Sequence, residues 1–271
     1  MPYLDKAKVR LTLARGSQEF GEIIFKNPSS QAVSMRVYPE DWFYASGGDG
    51  SKSFAPAATT DRSCSSWISF SPAEFSIPPK GEQRVSYKVN VPQDNGLEGG
   101  YYAVLFFESK VGELARPEQE AGAGLNLVVR LGALFYIEIN GTVKRTAVID
   151  NLSLKKEPSP DRLFIEADFR NSGNVDITAS GTFHIMDREG LVYARGEFNT
   201  LYAFPGDAAE LSGSWDTRKN PIPKGNYDVV LTIDLGRALS EAGLGRGPIL
   251  TKEAAIEIGD KGEILRVGAL E

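Results

Sequence analysis

Apolar and polar residues alternate with a period of two along most of this chain, which is the signature of half-buried β-strands. Such runs occupy residues 9–13, 21–25, 32–38, 67–70 and 82–91. They recur at 163–169, 181–186, 210–215, 227–233 and 254–258. In the run 82–91 the apolar positions Val85, Tyr87, Val89 and Val91 share one face. Residues 101–107 (Tyr-Tyr-Ala-Val-Leu-Phe-Phe) are apolar on both faces, as in a central strand. Turns are predicted at 27–30, 140–142 and 187–190. The segment 44–66, rich in Gly, Ser, Thr and Ala, reads as a long inter-strand excursion. Residues 109–124 read as a charged loop, 237–248 as a loop with one helical turn, and the chain beyond Gly259 as a frayed tail.

One run exceeds the others. From Leu125 every second position is apolar: Leu125, Leu127, Val129, Leu131, Ala133, Phe135, Ile137 and Ile139. At about 3.3 Å per residue this spans roughly 50 Å, well beyond a usual strand. It is expected either to bend or bulge at Gly132 or to overhang its sheet, and an overhanging apolar strand invites a partner's strand.

A three-part signature appears twice in the same order. The first copy is Phe25-Lys26-Asn27, Pro79-Lys80-Gly81 and Gly99-Gly100-Tyr101, and the second is Phe169-Arg170-Asn171, Pro205-Gly206 and Gly225-Asn226-Tyr227. A Tyr entering a late strand after a Gly turn forms the tyrosine corner of immunoglobulin-like sandwiches. Ordered recurrence and a length of 271 residues therefore predict an all-β protein of two tandem immunoglobulin-like β-sandwich domains. Their expected bounds are 1–143 and 144–260, with a tail at 261–271.

The formal net charge is −6 and Lys/Arg clusters are lacking, which speaks against nucleic acid or anionic lipid as partner. No apolar run approaches a membrane span, and residues 1–6 lack a leader's apolar core; a secreted origin then implies a chain relieved of its leader, with Met1 added. The single Cys64 excludes an internal disulfide, and the single His184 lies in the other half, so neither a Cys/His nor a Ser/His/acid constellation assembles within one domain. Zinc spacing is absent, and the loop Gly47-Gly48-Asp49-Gly50 lacks the spaced acidic ligands of a calcium site. The expectation is a non-enzymatic protein with no metal and no cofactor.

The order Arg10, Ile24-Phe25-Lys26-Asn27-Pro28, Asp41-Trp42, Trp67-Ile68-Ser69-Phe70-Ser71-Pro72, Phe75-Ser76-Ile77-Pro78-Pro79-Lys80-Gly81, Val91-Pro92, Gly100-Tyr101-Tyr102 and Leu134-Phe135-Tyr136 resembles the N-terminal domain of PapD-like periplasmic pilus chaperones over roughly residues 8–140. The second half is similar only in being another immunoglobulin-like module. The resemblance implies that the stripe Leu125, Leu127, Val129 and Leu131 donates apolar side chains to an incomplete subunit. It also implies a basic pair for the subunit's C-terminal carboxylate. Arg10 matches the first member; the Lys of the second aligns with Ala133, and the nearest base is Arg130.

A second resemblance, to tandem immunoglobulin-like envelope proteins of the WxL-interacting type, implies instead an adhesion or scaffold module that binds cell-wall polymer or surface proteins through loops, 44–66 above all. The reading preferred from the sequence is a chaperone-like factor of the periplasm or bacterial envelope. It binds pilin-like or surface-protein subunits by β-strand complementation, with the same strand available for a homodimer.

Overall fold

The computed structural model describes residues 2–113, 126–156, 161–218, 221–245 and 247–271, with the backbone alone at 110–113, 126 and 127. Strands are nearly the whole of its regular secondary structure, and the chain forms two compact units. The first is Met1–Phe43 with Ser53–Val143, and the second is Tyr44–Lys52 with Lys144–Glu271.

The first unit contains β1 (Tyr3–Leu4), β2 (Lys8–Leu13), β3 (Gln18–Lys26), β4 (Val33–Tyr44), β5 (Lys52–Pro56), β6 (Ile68–Ser71), β7 (Glu74–Ile77), β8 (Glu82–Asn90), β9 (Gly100–Glu113) and β10 (Asn126–Ile139). One sheet runs β1-β3-β8-β6; the other runs β2-β10-β9-β4-β5, with β7 also on β4. Period-two alternation puts Ile23 and Phe25 of β3 and Val85 and Val89 of β8 on an inner face, opposite Leu105 and Phe107 of β9 and Phe135 and Ile137 of β10. Phe25 and Phe107 stack across the sandwich with ring centroids 5.9 Å apart.

The second unit contains β11 (Ala147–Lys155), β12 (Arg162–Asn171), β13 (Ile177–Met186), β14 (Val192–Glu197), β15 (Leu201–Ala203), β16 (Ala208–Asp216), β17 (Gly225–Asp234), the short helix α1 (Arg237–Glu241), β18 (Ile249–Ile258) and β19 (Ile264–Val267). A β11-β12-β16 sheet and a β14-β13-β17-β18-β19 sheet, with β15 also on β13, enclose a core that includes Ile165, Phe169, Phe183, Leu211, Val229 and Leu231.

The repeated Asn explains the repeated signature. Asn27 donates through Nδ2 to the carbonyls of Gln31 (2.8 Å), Pro78 (3.1 Å) and Ile77 (3.3 Å), while its Oδ1 accepts from Ser29 N–H at 3.1 Å. Asn171 donates to Val175 (2.9 Å) and Ala203 (3.0 Å) and accepts from Gly173 N–H at 2.9 Å. Both side chains are buried, and each amide joins its own turn to the segment before the Pro-containing turn. That turn needs a positive φ, taken by Lys80 (61°) in one copy and Gly206 (91°) in the other. In the second unit Tyr227 donates to Pro223 O at 2.8 Å as a tyrosine corner, whereas Tyr101 packs its ring on Trp67 at 4.6 Å.

Four expectations are corrected. The segment 44–66 is not an open excursion: it holds β5 and a 3₁₀ turn at Ser65–Trp67, and Tyr44–Lys52 belongs to the second unit. The predicted loop at 109–124 begins later, because β9 runs on to Glu113; residues 114–124 lie outside those described. Beyond Gly259 the chain is not frayed: β19 pairs Ile264 with Ile258 and Val267 with Ile256, and Glu271 N–H continues to Glu253 O at 2.9 Å. Half-buried Ile264 and Val267 pack on the second core, which offsets the cost of ordering this end. Finally, of the alternatives for β10 a bulge at Gly132 is set aside: its register on β9 is continuous there and shifts between Asn126 and Val128.

Candidate functional site

Antiparallel pairing with β9 fixes β10 along its whole length, from Glu138 opposite Gly100 to Asn126 opposite Glu113. Its other edge is covered over only part of that length. The parallel partner β2 pairs from Leu134 with Lys8 to Ile139 with Leu13. Over residues 126–133 no strand among the described residues occupies that edge.

Side chains along this open stretch continue the pattern of the core. Ala133, Phe135, Ile137 and Ile139 are buried on the inner face, and Leu131 packs against the same core. Val129 is half-buried and Val128, on the opposite face, is 44% exposed. Leu127 sits in the strand with its backbone alone described, and Leu125 lies outside the described residues. Gly132 serves packing: a Cβ there would meet Val104 Cγ2 at 2.9 Å and Phe106 Cε1 at 3.2 Å.

The two arginines do not form one anchor. Arg10 is paired in register with Tyr136, and its guanidinium lies 3.8 Å from the centre of that ring. Trp42 and Tyr102 surround Tyr136 at 5.1 and 6.0 Å. Arg130 lies six residues further along β10, roughly 20 Å away at about 3.3 Å per residue. It is already engaged, with Nη1 3.3 Å from Glu40 Oε1 and its guanidinium 4.1 Å from the Phe106 ring centre and 5.3 Å from that of Phe54. Ala133, at the aligned Lys position, points into the core with no exposure, where a cation would be desolvated without a partner. The expectation of an Arg10–Arg130 pair is therefore corrected: Arg10 alone keeps the matching position.

Sequence reasoning missed the buried carboxylate of Asp41. It accepts from the N–H groups of Ala58 (3.2 Å), Thr59 (2.9 Å) and Thr60 (2.9 Å) and from the hydroxyls of Thr60 (3.1 Å) and Ser63 (2.6 Å). Burial opposes its charge, but the Ser63 hydroxyl and these N–H groups outweigh burial and hold its pKa below the ordinary value. The visible signal was a lone Asp before Trp42, followed by the Thr/Ser cluster at 59–66. This arrangement fastens residues 58–63 of the segment that was read as a long inter-strand excursion. Cys64, beside it, is fully buried, and burial together with the Asp41 charge pushes its thiol pKa well up, away from nucleophilic use. His184 is half-buried in β13, in register with Arg195 and Val230. Among the described residues no cluster of His, Cys, Asp or Glu has the makings of a metal site, and no helix is long and apolar enough to cross a membrane.

No protein-family model and no curated protein sequence matches the chain. Among solved structures it is similar to the class 5 fimbriae chaperone CfaA at 12% identity, over 93% of this chain and 98% of that one, with a TM-score of 0.50. It is also similar to a chain of a chaperone–tip adhesin complex of CFA/I fimbriae biogenesis (11% identity, 93% and 98% covered, TM-score 0.49) and to the E. coli chaperone DraB (12%, 93% and 97%, 0.41). The first of these carries the comparison, and what it shows is the fold: two β-sandwich domains in the arrangement of strands found in a fimbrial chaperone.

Proposed function

We propose that this chain is a non-enzymatic protein of the bacterial envelope that binds a pilus or surface-protein subunit lacking one strand, by adding the open stretch of β10 to the subunit's sheet. The observation that supports this most is the uncovered edge at 126–133, which carries apolar Val129 and Leu131 in continuation of the core stripe. Main-chain hydrogen bonds along such an edge supply affinity, and alternate side chains entering the subunit's pockets supply selectivity. Leu125 and Leu127 extend the stripe in sequence. Arg10 is the candidate to receive an anionic chain terminus, the charge-assisted bond gaining strength from its half-buried setting. The fold likeness to a fimbrial chaperone agrees with this assignment.

The test is co-expression with pilin-like subunits from the source organism, followed by affinity capture with the wild type and with Val129→Glu. A carboxylate driven into an apolar pocket weakens capture more than tenfold while the circular dichroism spectrum stays unchanged. With no subunit present, the same edge pairs with a second copy, so any concentration-dependent dimer disappears in the same variant. Equal capture by both proteins overturns the proposal.

A further inference from the structure

Residues 126–133 of β10 pair with β9 on one side and, among the described residues, with no strand on the other. A strand held by a single ladder frays unless side chains hold it as well. On the inner face Leu131 packs against the core and Val129 is half-buried. The outer face carries a second hold, centred on Arg130. Its guanidinium turns back over the sheet, 4.1 Å from the centre of the Phe106 ring of β9 and 5.3 Å from that of the Phe54 ring of β5. Nη1 lies 3.3 Å from Glu40 Oε1 of β4. The two rings meet edge to face at 4.8 Å, so one planar cation is fastened to three other strands of the sheet. Beside it Glu108, in register with Arg130, accepts from the Tyr38 hydroxyl at 2.6 Å.

We infer that Arg130 is a positioning residue: clamped by Phe54, Phe106 and Glu40, it keeps residues 128–131 extended on β9 before a partner arrives, so that a subunit's strand meets an edge already formed. The inference rests on the strand-docking reading above. A stretch that is loose before docking has to be ordered during it, and that cost comes off the affinity. The guanidinium reaches toward β4 and β5, away from the edge that a partner's strand lines, so Arg130 acts through β10 and not by touching the partner.

Two variants test this: Arg130→Gln, which removes the cation, and Phe54→Ala, which opens the clamp from β5 and leaves every side chain of β10 in place. Both residues are partly exposed, so both variants keep their fold, checked by circular dichroism. Hydrogen exchange is followed in the free full chain, and the affinity for the same pilin-like subunits is measured alongside. In each variant the amides that 128–131 and 107–109 turn toward one another exchange about tenfold faster than in the wild type, those of 135–139 exchange as before, and subunit affinity falls about tenfold. Unchanged exchange in both folded variants overturns the inference, and so does faster exchange with undiminished affinity. Affinity lost in Arg130→Gln but kept in Phe54→Ala also overturns it, because Arg130 is then a direct contact. Each of these results leaves strand docking standing, whereas equal capture by the wild type and Val129→Glu removes that reading and the inference with it.

Discussion

Asn171 occupies a site with no exposure, and its amide answers two main-chain carbonyls in buried settings and the N–H of half-buried Gly173. Asn171→Ala leaves the carbonyls of Val175 and Ala203 and the N–H of Gly173 without that partner. At about 1–3 kcal/mol for a buried group left unsatisfied, the variant loses roughly 3 kcal/mol or more, read as a lowered urea midpoint at unchanged slope. Asn27→Ala, which has the same pattern of bonds, loses a comparable amount from the first unit. Asp41 makes the first unit acid-sensitive. Its folded pKa lies below its unfolded value of about 3.9, so its contribution is present above that value and is lost as pH falls through the lowered folded pKa. Asp41→Asn is expected to be less stable at pH 7, and its deficit relative to wild type narrows between about pH 4 and pH 2, measured by thermal unfolding across that range. A deficit constant with pH would mean that the carboxylate's charge contributes nothing there.

The strand β10 shows what a sequence pattern reveals and where it stops. Alternation marked a long strand, and from Leu131 to Ile139 its apolar face is the one that meets the core, because the period of two is set by the backbone alone. The pattern did not contain the place where β2 stops pairing, which depends on where a segment 126 residues earlier in the chain leaves the sheet. Gly132 offered a break as one of two alternatives because an isolated Gly in a strand often marks one. Here it makes room for Phe106, whose ring in turn carries the Arg130 guanidinium. Such close approach across strands is invisible in one dimension. Gly132→Ala is accordingly expected to cost about 1–2 kcal/mol through overpacking against Val104 and Phe106, with no backbone strain involved. Equilibrium unfolding of the variant measures it, and a neutral result would show that Phe106 yields without loss. Other short or irregular elements escaped for similar reasons: β15 has three residues, and Asp41 organises 58–63 by hydrogen bonds that no periodicity records.

At the scale of the whole molecule, tandem repetition was legible because each copy needs the same buried Asn and the same turn, and these leave fixed letters in the chain. The partition of the chain was not, because the second unit is built from two separate stretches. Residues Tyr44–Lys52 complete it: Gly48 O accepts from Tyr202 N–H at 2.9 Å, and Tyr44 packs its ring against Tyr202 at 5.5 Å and Phe204 at 4.9 Å. Gly48 adopts φ 71°, and a Cβ on it would stand 2.7 Å from the Ala209 Cβ, so this stretch lies closely against β15 and β16. A fragment of residues 144–271 therefore lacks part of its own packing and leaves Tyr202 and Phe204 more exposed than in the intact chain. It is expected to fold, since it keeps the core around Phe169, Phe183 and Leu231, but with a urea midpoint below that of the second unit in the full protein. Gly48→Leu in the full chain should move that unit in the same direction without touching the fragment's sequence, combining a strained φ with a collision at Ala209. Native-state hydrogen exchange of β15 and β16 amides distinguishes the outcomes. Equal protection in fragment, variant and wild type would mean that 44–52 only lies on the second unit, whereas faster exchange in both altered proteins would mean that the unit's stability depends on it.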